Sequence, residues 1–175
     1  MALRKKILLG IALFATAIFG FMTWYEIHFS MGPAREFEVN RRAAGPKVLI
    51  ATQGSAFKDS IVAGVITHLK PREAYVRVID VSRLSSVQES DWNAIVIIHT
   101  WQMRKPQPEA KRFVDRTQNL QKVIVLSTSG AGTFKMDGID AISSASEMAD
   151  VPERVAELDA RLDALLGNAR HNDRP

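Results

Sequence analysis

Thr52-Gln-Gly-Ser55 is a short polar turn between an apolar run and the start of an amphipathic helix. A turn of this kind points backbone N–H groups into a crevice, and the positive end of the helix dipole there favours an anion. The residue types Thr52, Gly54 and Ser55 therefore predict a site for an anion such as a phosphate. The alternative is an ordinary strand-to-helix turn, with Ser55 as the helix cap and no ligand.

Two further polar loops follow later apolar runs. The first is His-Thr-Trp-Gln-Met-Arg-Lys-Pro-Gln-Pro at 99–108, and the second is Ser-Thr-Ser-Gly-Ala-Gly-Thr-Phe at 127–134. Because the carboxyl ends of parallel strands meet at one edge of a sheet, both loops are expected to line the crevice of the 52–55 turn. Their candidate ligand-binding residues are Thr100, Trp101, Gln102, Ser127, Thr128, Ser129, Gly130, Gly132 and Phe134. Structural roles remain as alternatives. A loop tryptophan can simply pack on nearby prolines, and glycines can be present only because the backbone needs a positive φ.

The apolar pattern predicts the strands that would carry these loops. Continuous apolar runs are typical of buried parallel strands, whereas alternation is typical of half-exposed or edge strands. Buried strands are predicted at 48–51, 94–98 and 123–126, a half-exposed or edge strand at 75–81, and a weaker strand at 139–143. The run at 94–98 is the strongest and is expected at the centre of the sheet.

Helix signals alternate with these strands. Helices are predicted at 55–70, 108–120 and 150–167, with Gly167 as the last stop signal, and the polar segment 82–92 has room for one short helix. Alternation of this kind produces a parallel sheet with helices on both faces. The predicted fold class is therefore α/β, a three-layer doubly wound sheet of about five strands over residues 47–167, followed by a flexible tail at 168–175.

Residues 7–25 contain no charged side chain. A helix of this length spans roughly 28 Å, close to the hydrocarbon thickness of a bilayer. A basic flank, residues 1–6, precedes it, and Trp24 and Tyr25 lie at its other end, where aromatic side chains favour the membrane interface. The segment is predicted to be an uncleaved, single-pass transmembrane anchor, with a cleaved signal peptide as the alternative. The basic flank favours a domain on the non-cytoplasmic side, although basic residues also follow the span.

Residues 26–46 are predicted to be a linker, because Gly-Pro and Ala-Ala-Gly-Pro pieces alternate there with mixed charge. A solvated tether is one interpretation, and a basic strip on anionic lipid headgroups is the other. Three of the four surplus positive charges of the chain lie in residues 1–45. The net charge is therefore weak support for a nucleic-acid partner, and none is predicted.

Cysteine and histidine limit the chemistry that this chain can perform. The chain has no cysteine, which excludes disulfides, thiolate metal sites and cysteine nucleophiles. Its four histidines are scattered along the sequence, so no metal ligands are assigned. His99 follows the predicted central strand, but the sequence shows no partner that would give it a catalytic role. No catalytic residue is predicted.

In the order of these elements, residues 47–166 resemble the flavodoxin-like family. Flavodoxins wrap the FMN phosphate in a Thr/Ser- and Gly-rich turn after the first strand, which implies that role for the 52–55 turn. They often stack an aromatic residue on the isoalloxazine ring, and the matching candidate is Trp101. The resemblance also implies that the backbone of the third loop approaches the ring edge and that Phe134 covers it. FMN is thus the implied cofactor.

Two features depart from the flavodoxin pattern. Gln53 and Ala56 stand where the family usually has hydroxyl side chains, although Lys58 could supply a compensating charge. The segment between the strands predicted at 123–126 and 139–143 is also short for a parallel crossover, which normally contains a helix. The usual fourth helix is therefore predicted to be missing or reduced to a turn.

Two functional hypotheses follow from the resemblance. The first is a membrane-anchored FMN protein with an electron-transfer or quinone- or NAD(P)H-linked redox role, with the bilayer and a redox protein as partners. The second is a flavin-free flavodoxin-like module that binds a partner or supports envelope assembly. The missing hydroxyls favour the second hypothesis, whereas Trp101 and the third loop favour the first.

Overall fold

The structure is a computed structural model that describes residues 2–29, 31–40 and 45–172. The chain divides into two compact units, residues 1–31 and residues 32–175. The first unit contains helix α1, Ala2–Phe29. Its stretch Arg4–Trp24 has a mean hydropathy of 2.1 and none of its side chains is buried. By length and composition, α1 can therefore span a membrane.

The second unit is built on a six-stranded sheet. The strands are β1 (Phe37–Val39), β2 (Lys47–Thr52), β3 (Tyr75–Asp80), β4 (Ala94–Thr100), β5 (Val123–Thr128) and β6 (Asp140–Ser144). Their order across the sheet is β1-β3-β2-β4-β5-β6. β1 is antiparallel to β3, and all other pairs are parallel. The parallel strands thus follow the 2-1-3-4-5 order of flavodoxin-like sheets, which confirms the predicted fold class.

Helices cover both faces of this sheet. The α-helices are α2 (Ala56–Leu69), α3 (Pro108–Arg116) and α4 (Val151–Asn172). Val48 and Ile50 of β2 pack with α2 and α4 in one core, whereas Leu49 and Ala51 pack with α3 in the other. Successive strand residues point to opposite faces, so a strand buried on both faces must be apolar throughout. This explains why the central strands are continuous apolar runs.

The sequence predicts a half-exposed or edge strand at 75–81, and the edge alternative is wrong. Burial along β3 does not follow the alternation of the sequence, since Tyr75, Val76, Val78 and Ile79 are all buried. β3 pairs with β2 on one side and with β1 on the other. β1 belongs to the segment predicted as a linker, and its Val39 packs against the α2–α4 core. A three-residue strand is too short to give a periodic signal, so the sequence does not reveal it.

Three other elements also differ from prediction. The helix predicted at 108–120 ends at Arg116, because Thr117 has an extended backbone that cannot continue the helix. α4 continues through Gly167 to Asn172, because a single glycine in an exposed helix costs only about 1 kcal/mol. Of the predicted tail, the last three residues lie outside the described residues. The segment 82–92 contains two 3-10 helices, Val81–Ser86 and Glu89–Asp91, in place of one short helix.

The crossover from β5 to β6 contains no helix, as predicted. Residues 129–139 are turns and irregular backbone throughout. Met136 from this segment is 6% exposed and packs into the core beneath α3. One buried side chain thus takes part of the space that a crossover helix would cover.

Candidate functional site

All five parallel strands end at one edge of the sheet, called here the carboxyl edge. The residues that end them are Thr52, Asp80, Thr100, Thr128 and Ser144. Thr52, Thr128 and Ser144 are buried, and the loops that follow the strands lie side by side because the strands are paired in register. Open α/β sheets bind their ligands at this edge, so the candidate site lies here.

The 52–55 turn caps α2 as the sequence suggests. Ser55 is the N-cap, and its hydroxyl accepts a hydrogen bond from the Lys58 backbone N–H at 3.3 Å. The Gly54 N–H, however, points to another part of the chain. It donates to the carbonyl oxygen of Gly32 at 2.8 Å. One of the amides predicted to bind an anion is therefore hydrogen-bonded to the protein itself.

Residues 32–34, called here the strap, lie across the turn. Besides the bond from Gly54 to Gly32, the Ala34 N–H donates to the Asp80 carboxylate at 2.7 Å. The Asp80 carboxylate also accepts from the Ser82 N–H at 2.9 Å. Although burial opposes this, these hydrogen bonds hold the pKa of Asp80 below its usual value.

Gly54 is required by the close approach of the strap. A Cβ atom at this position would lie 2.5 Å from the Pro33 carbonyl oxygen and 3.0 Å from that of Gly32. Both are backbone atoms, which cannot move aside as a flexible side chain can. The contact between turn and strap therefore depends on a residue without a side chain.

Lys58 lies under the turn with its side chain fully buried. Its ammonium donates to the Thr100 hydroxyl at 2.8 Å, which joins α2 to the end of β4. Burial lowers the pKa of Lys58 to about 8, while neighbouring Asp59 acts in the opposite direction. The Lys58 ammonium, which the sequence suggested as a partner for a bound phosphate, thus points into the protein.

The signal for this burial was present in the helical spacing. Ile61 and Val62 follow Lys58 by three and four residues, and both are buried. Residues at these spacings share one face of a helix, so Lys58 lies on the apolar face of α2. Sequence reasoning gave more weight to its charge than to this position.

Hydroxyl groups extend the hydrogen bonding that begins at Lys58 across the carboxyl edge. The Thr100 and Thr128 hydroxyls are 2.9 Å apart, and the Thr128 hydroxyl donates to the His99 carbonyl oxygen at 3.3 Å. Gln53, which replaces a hydroxyl residue of the family, accepts from the Thr100 N–H at 2.7 Å. This substitution therefore ties the 52–55 turn to β4, a role that sequence analysis missed.

His99 and Ser127 form a buried pair in the same layer. His99 Nε2 lies 3.1 Å from the Ser127 hydroxyl, and the Gln107 N–H donates to His99 Nδ1 at 3.4 Å. Because Nδ1 accepts, we assign the ring proton to Nε2, which donates to Ser127. Burial lowers the pKa of His99 to about 4, so the ring is neutral at physiological pH. Both side chains are fully buried, so neither reaches solvent in this conformation.

Trp101 and Phe134 meet at the rim of the edge. Their rings are stacked with centroids 5.3 Å apart and planes inclined by 19°. The Arg104 guanidinium lies 5.7 Å from the centre of the Phe134 ring. The two aromatic residues that the resemblance assigned to a flavin ring therefore contact each other.

The third loop is organised by its own backbone. The Ser129 N–H donates to the Ser144 carbonyl oxygen, and the Gly132 N–H donates to that of Ser129, both at 3.1 Å. Gly132 has φ +65, and a Cβ there would lie 2.7 Å from the Ala145 nitrogen. Gly132 thus serves backbone geometry, whereas Gly130 is exposed and has open space around its Cα.

The structure gathers the sequence-predicted residues at the carboxyl edge, although most of them contact protein. Those in the three loops are Thr52, Gly54, Ser55, Thr100, Trp101, Gln102, Ser127, Thr128, Ser129, Gly130, Gly132 and Phe134. The Gln102 side chain is exposed. The structure adds Lys58, Gln53, Asp80 and the strap. Among the described residues, no group of three metal-binding side chains is placed to hold an ion.

Comparisons with known proteins give low similarity. No protein-family model matches the chain. No curated protein matches it in sequence. Among solved structures, it is similar to a flavodoxin from the domain Archaea, with 12% identity over 68% of this chain and 98% of that chain and a TM-score of 0.46. An oxidoreductase from Corynebacterium diphtheriae has 14% identity over 72% of this chain and 99% of that chain, with a TM-score of 0.48. Flavodoxin 2 from Bacillus cereus has 16% identity over 66% of this chain and 96% of that chain, with a TM-score of 0.41.

The residues at the edge do not fit FMN in this conformation. The Gly54 N–H, one of the turn amides that the flavodoxin resemblance assigns to a phosphate, is bonded to the strap. A flavin ring between Trp101 and Phe134 would need about 7 Å, two contacts of about 3.5 Å each. Their centroids are only 5.3 Å apart. In this conformation the Gly54 N–H and the facing surfaces of Trp101 and Phe134 thus contact other parts of the chain.

Proposed function

We propose that this chain is a membrane-anchored flavodoxin-like module that works without flavin, as a binding or envelope-assembly protein. The observation that supports this most strongly is the hydrogen bond from the Gly54 N–H to the Gly32 carbonyl oxygen, 2.8 Å long. The Gly32 carbonyl oxygen takes up an amide that the flavodoxin resemblance assigns to a cofactor phosphate, next to a glycine that the contact requires.

The buried network behind the turn supports the same proposal. Lys58, Gln53 and Thr100 hold the ends of β2, α2 and β4 together through direct hydrogen bonds. Satisfied buried polar networks rigidify a fold. A rigid sheet edge with polar loops is suited to presenting a surface to a partner, because loops on a rigid scaffold commonly carry binding residues.

The anchor and its orientation belong to the proposal. Helix α1 is long and apolar enough to hold the chain in a bilayer, and the basic flank before it favours a domain outside the cytoplasm. NAD(P)H is not available there, which agrees with a module that needs no reductant. The partner is then an envelope protein or the membrane itself.

One observation favours the FMN-dependent redox function as a second candidate. Among the described residues, Trp101 Nε1 and the Ser129 hydroxyl are buried polar atoms without a hydrogen-bond partner. Buried polar atoms without a hydrogen-bond partner usually have a structural or functional reason, and one such reason is a ligand that binds at the rim. Binding of FMN would then require the strap to leave the turn and the Trp101–Phe134 stack to open.

An absorbance spectrum of the full-length protein distinguishes the two candidates. The spectrum of the detergent-purified protein is recorded once as purified, and again after incubation with excess FMN followed by removal of free flavin. An apo-flavodoxin is the positive control. The proposal predicts no protein-bound bands near roughly 370 and 450 nm, the approximate absorbance of oxidised flavin. Flavin bands of one FMN per protein after reconstitution would contradict the flavin-free proposal and favour the redox function.

Two measurements test the anchor and its orientation separately. Extraction of membranes with alkaline carbonate should leave the full chain in the pellet, because a spanning helix is not released by high pH. Release into the supernatant would contradict the anchor. For orientation, two reporters are fused after residue 175 in separate experiments. A reporter that works only outside the cytoplasm should give a signal, and one that works only inside the cytoplasm should give none.

A further inference from the structure

Exposed apolar side chains in the second unit are concentrated at the carboxyl edge. Among its described residues, the large apolar side chains that remain exposed are Phe37, Met103 and Met148. Met103 is 76% exposed in the loop after β4, and Met148 is 56% exposed after β6. Both loops leave the carboxyl edge, so two of these three side chains lie there.

Met103 is held at the tip of a tight turn. Gln102 and Lys105 exchange two backbone hydrogen bonds of 2.9 Å each, which closes a two-residue turn at Met103 and Arg104. Both residues have positive φ, 48° for Met103 and 60° for Arg104. Asn-Gly is the usual choice for such a turn, and side chains without that tolerance add strain of about 1 kcal/mol each. The turn therefore presents these two side chains at an energetic cost.

The charges beside Met103 complete an amphipathic tip, defined here as residues 103–105. Arg104 and Lys105 form no ion pair with any described residue, and both are exposed. The stacking of Arg104 on the Phe134 ring supports the tip from below. An exposed apolar residue followed by two basic side chains matches the boundary of a bilayer, where acyl chains meet anionic headgroups.

The chain enters the second unit at the same edge. Gly32, whose carbonyl oxygen binds the Gly54 N–H, is the eighth residue after Trp24, the last residue of the apolar stretch. Eight residues span at most about 28 Å when fully extended. The short connection therefore allows the carboxyl edge to reach a membrane that holds the apolar stretch.

We propose that the 103–105 tip docks on the membrane in which the chain is anchored. Met103 inserts at the headgroup–acyl boundary, and Arg104 and Lys105 bind anionic lipid headgroups. This inference rests on the anchor of the proposed function and is independent of flavin. It makes the carboxyl edge a membrane-facing surface, which would leave the opposite edge and the helical faces for a protein partner.

The absence of cysteine from the sequence allows a direct test. Full-length Met103→Cys and Gln121→Cys variants are labelled with an environment-sensitive fluorophore and reconstituted in nanodiscs of phosphatidylcholine with phosphatidylglycerol. Gln121 is the matched control, since it is exposed and precedes β5 at the opposite edge. Brominated lipids should quench the label at position 103 severalfold more than the label at position 121. Neutralising Arg104 and Lys105 to Gln should weaken docking by roughly fivefold per charge.

Each contrary result has a distinct meaning. Equal quenching at the two positions, or no quenching at 103 in a chain that stays in the membrane, would overturn the docking proposal and leave the anchor intact. A blue-shifted label at 103 without quenching by brominated lipid would indicate protein contact and would also overturn it. Release of the chain by alkaline carbonate would overturn the anchor and docking together.

Discussion

Lys58 allows the buried network at the carboxyl edge to be tested through its effect on stability. Its side chain is fully buried, and burial lowers its pKa from 10.5 to about 8. In the unfolded chain the lysine has its ordinary pKa. Between these two pH values the unfolded state therefore holds a proton that the folded state has released, and the free energy of unfolding rises with pH.

The size of this rise follows from the pKa difference. Each pH unit over which the two states differ by one proton contributes about 1.4 kcal/mol. The interval from about 8 to 10.5 therefore adds roughly 3 kcal/mol to the free energy of unfolding. Lys58→Met removes the titrating group and keeps an apolar side chain of similar length. The variant should lack this rise.

Urea unfolding of the full-length protein in detergent micelles measures the difference. Trp92 is buried beside Tyr75, with ring centroids 6.1 Å apart, so its fluorescence reports on the second unit. The other titratable groups contribute equally to the unfolding free energies of both proteins. Their contributions therefore cancel when the variant is compared with wild type at each pH. Lys111→Met removes an exposed lysine of α3 and is the matched control for loss of a surface charge.

The expected result is a wild-type-minus-variant difference that grows through alkaline pH. Its slope should approach 1.4 kcal/mol per pH unit in the middle of the interval. A difference that stays constant with pH would refute the reasoning, because Lys58 would then titrate alike in the folded and unfolded states. In that case the ammonium would reach solvent and the network would not be closed.

Four further substitutions, one of them a control, test the other contacts by urea or thermal unfolding. Burial lowers the pKa of His99 to about 4, so wild-type stability should fall by up to roughly 3 kcal/mol as pH drops from 6.5 to 4, and His99→Gln should lack this acid dependence. Gly54→Ala places a Cβ 2.5 Å from a strap carbonyl oxygen and should lower the unfolding free energy by about 1–3 kcal/mol. Gly130→Ala, with nothing within 4 Å of its Cβ, should change it by less than about 0.5 kcal/mol, and equal effects at 54 and 130 would contradict the strap contact. Gly132→Ala combines φ +65 with a 2.7 Å approach to backbone and should lower it by at least about 1–2 kcal/mol, so an unchanged melting temperature would exclude the described loop geometry.

The sequence predicts the sheet because its signals are local. A strand buried on both faces must be a continuous apolar run, and the runs at 48–51, 94–98 and 123–126 lie inside β2, β4 and β5. The short β5–β6 crossover was predicted for the same reason, since segment length is visible in sequence. Chain order and the preference for short connections then fix most of the strand order.

The contents of the candidate site were harder to predict because they depend on distant residues. Gly54 marks a close backbone approach, but the sequence does not say whether the neighbour is a ligand or the strap. Gln53 differs from the family pattern, yet its bond to the Thr100 N–H appears only once β2 and β4 are side by side. Lys58 was the exception, since its helical spacing already placed it on the buried face.

Amide hydrogen exchange of Gly54, measured by NMR on the full-length protein in micelles, tests the central claim most directly. In the structure this N–H is bonded to the Gly32 carbonyl oxygen and is not kept for a phosphate. We therefore predict slow exchange in the protein alone and no change in exchange or chemical shift on addition of excess FMN. Fast exchange that becomes slow when FMN is added would contradict the account and show that the turn is a phosphate site.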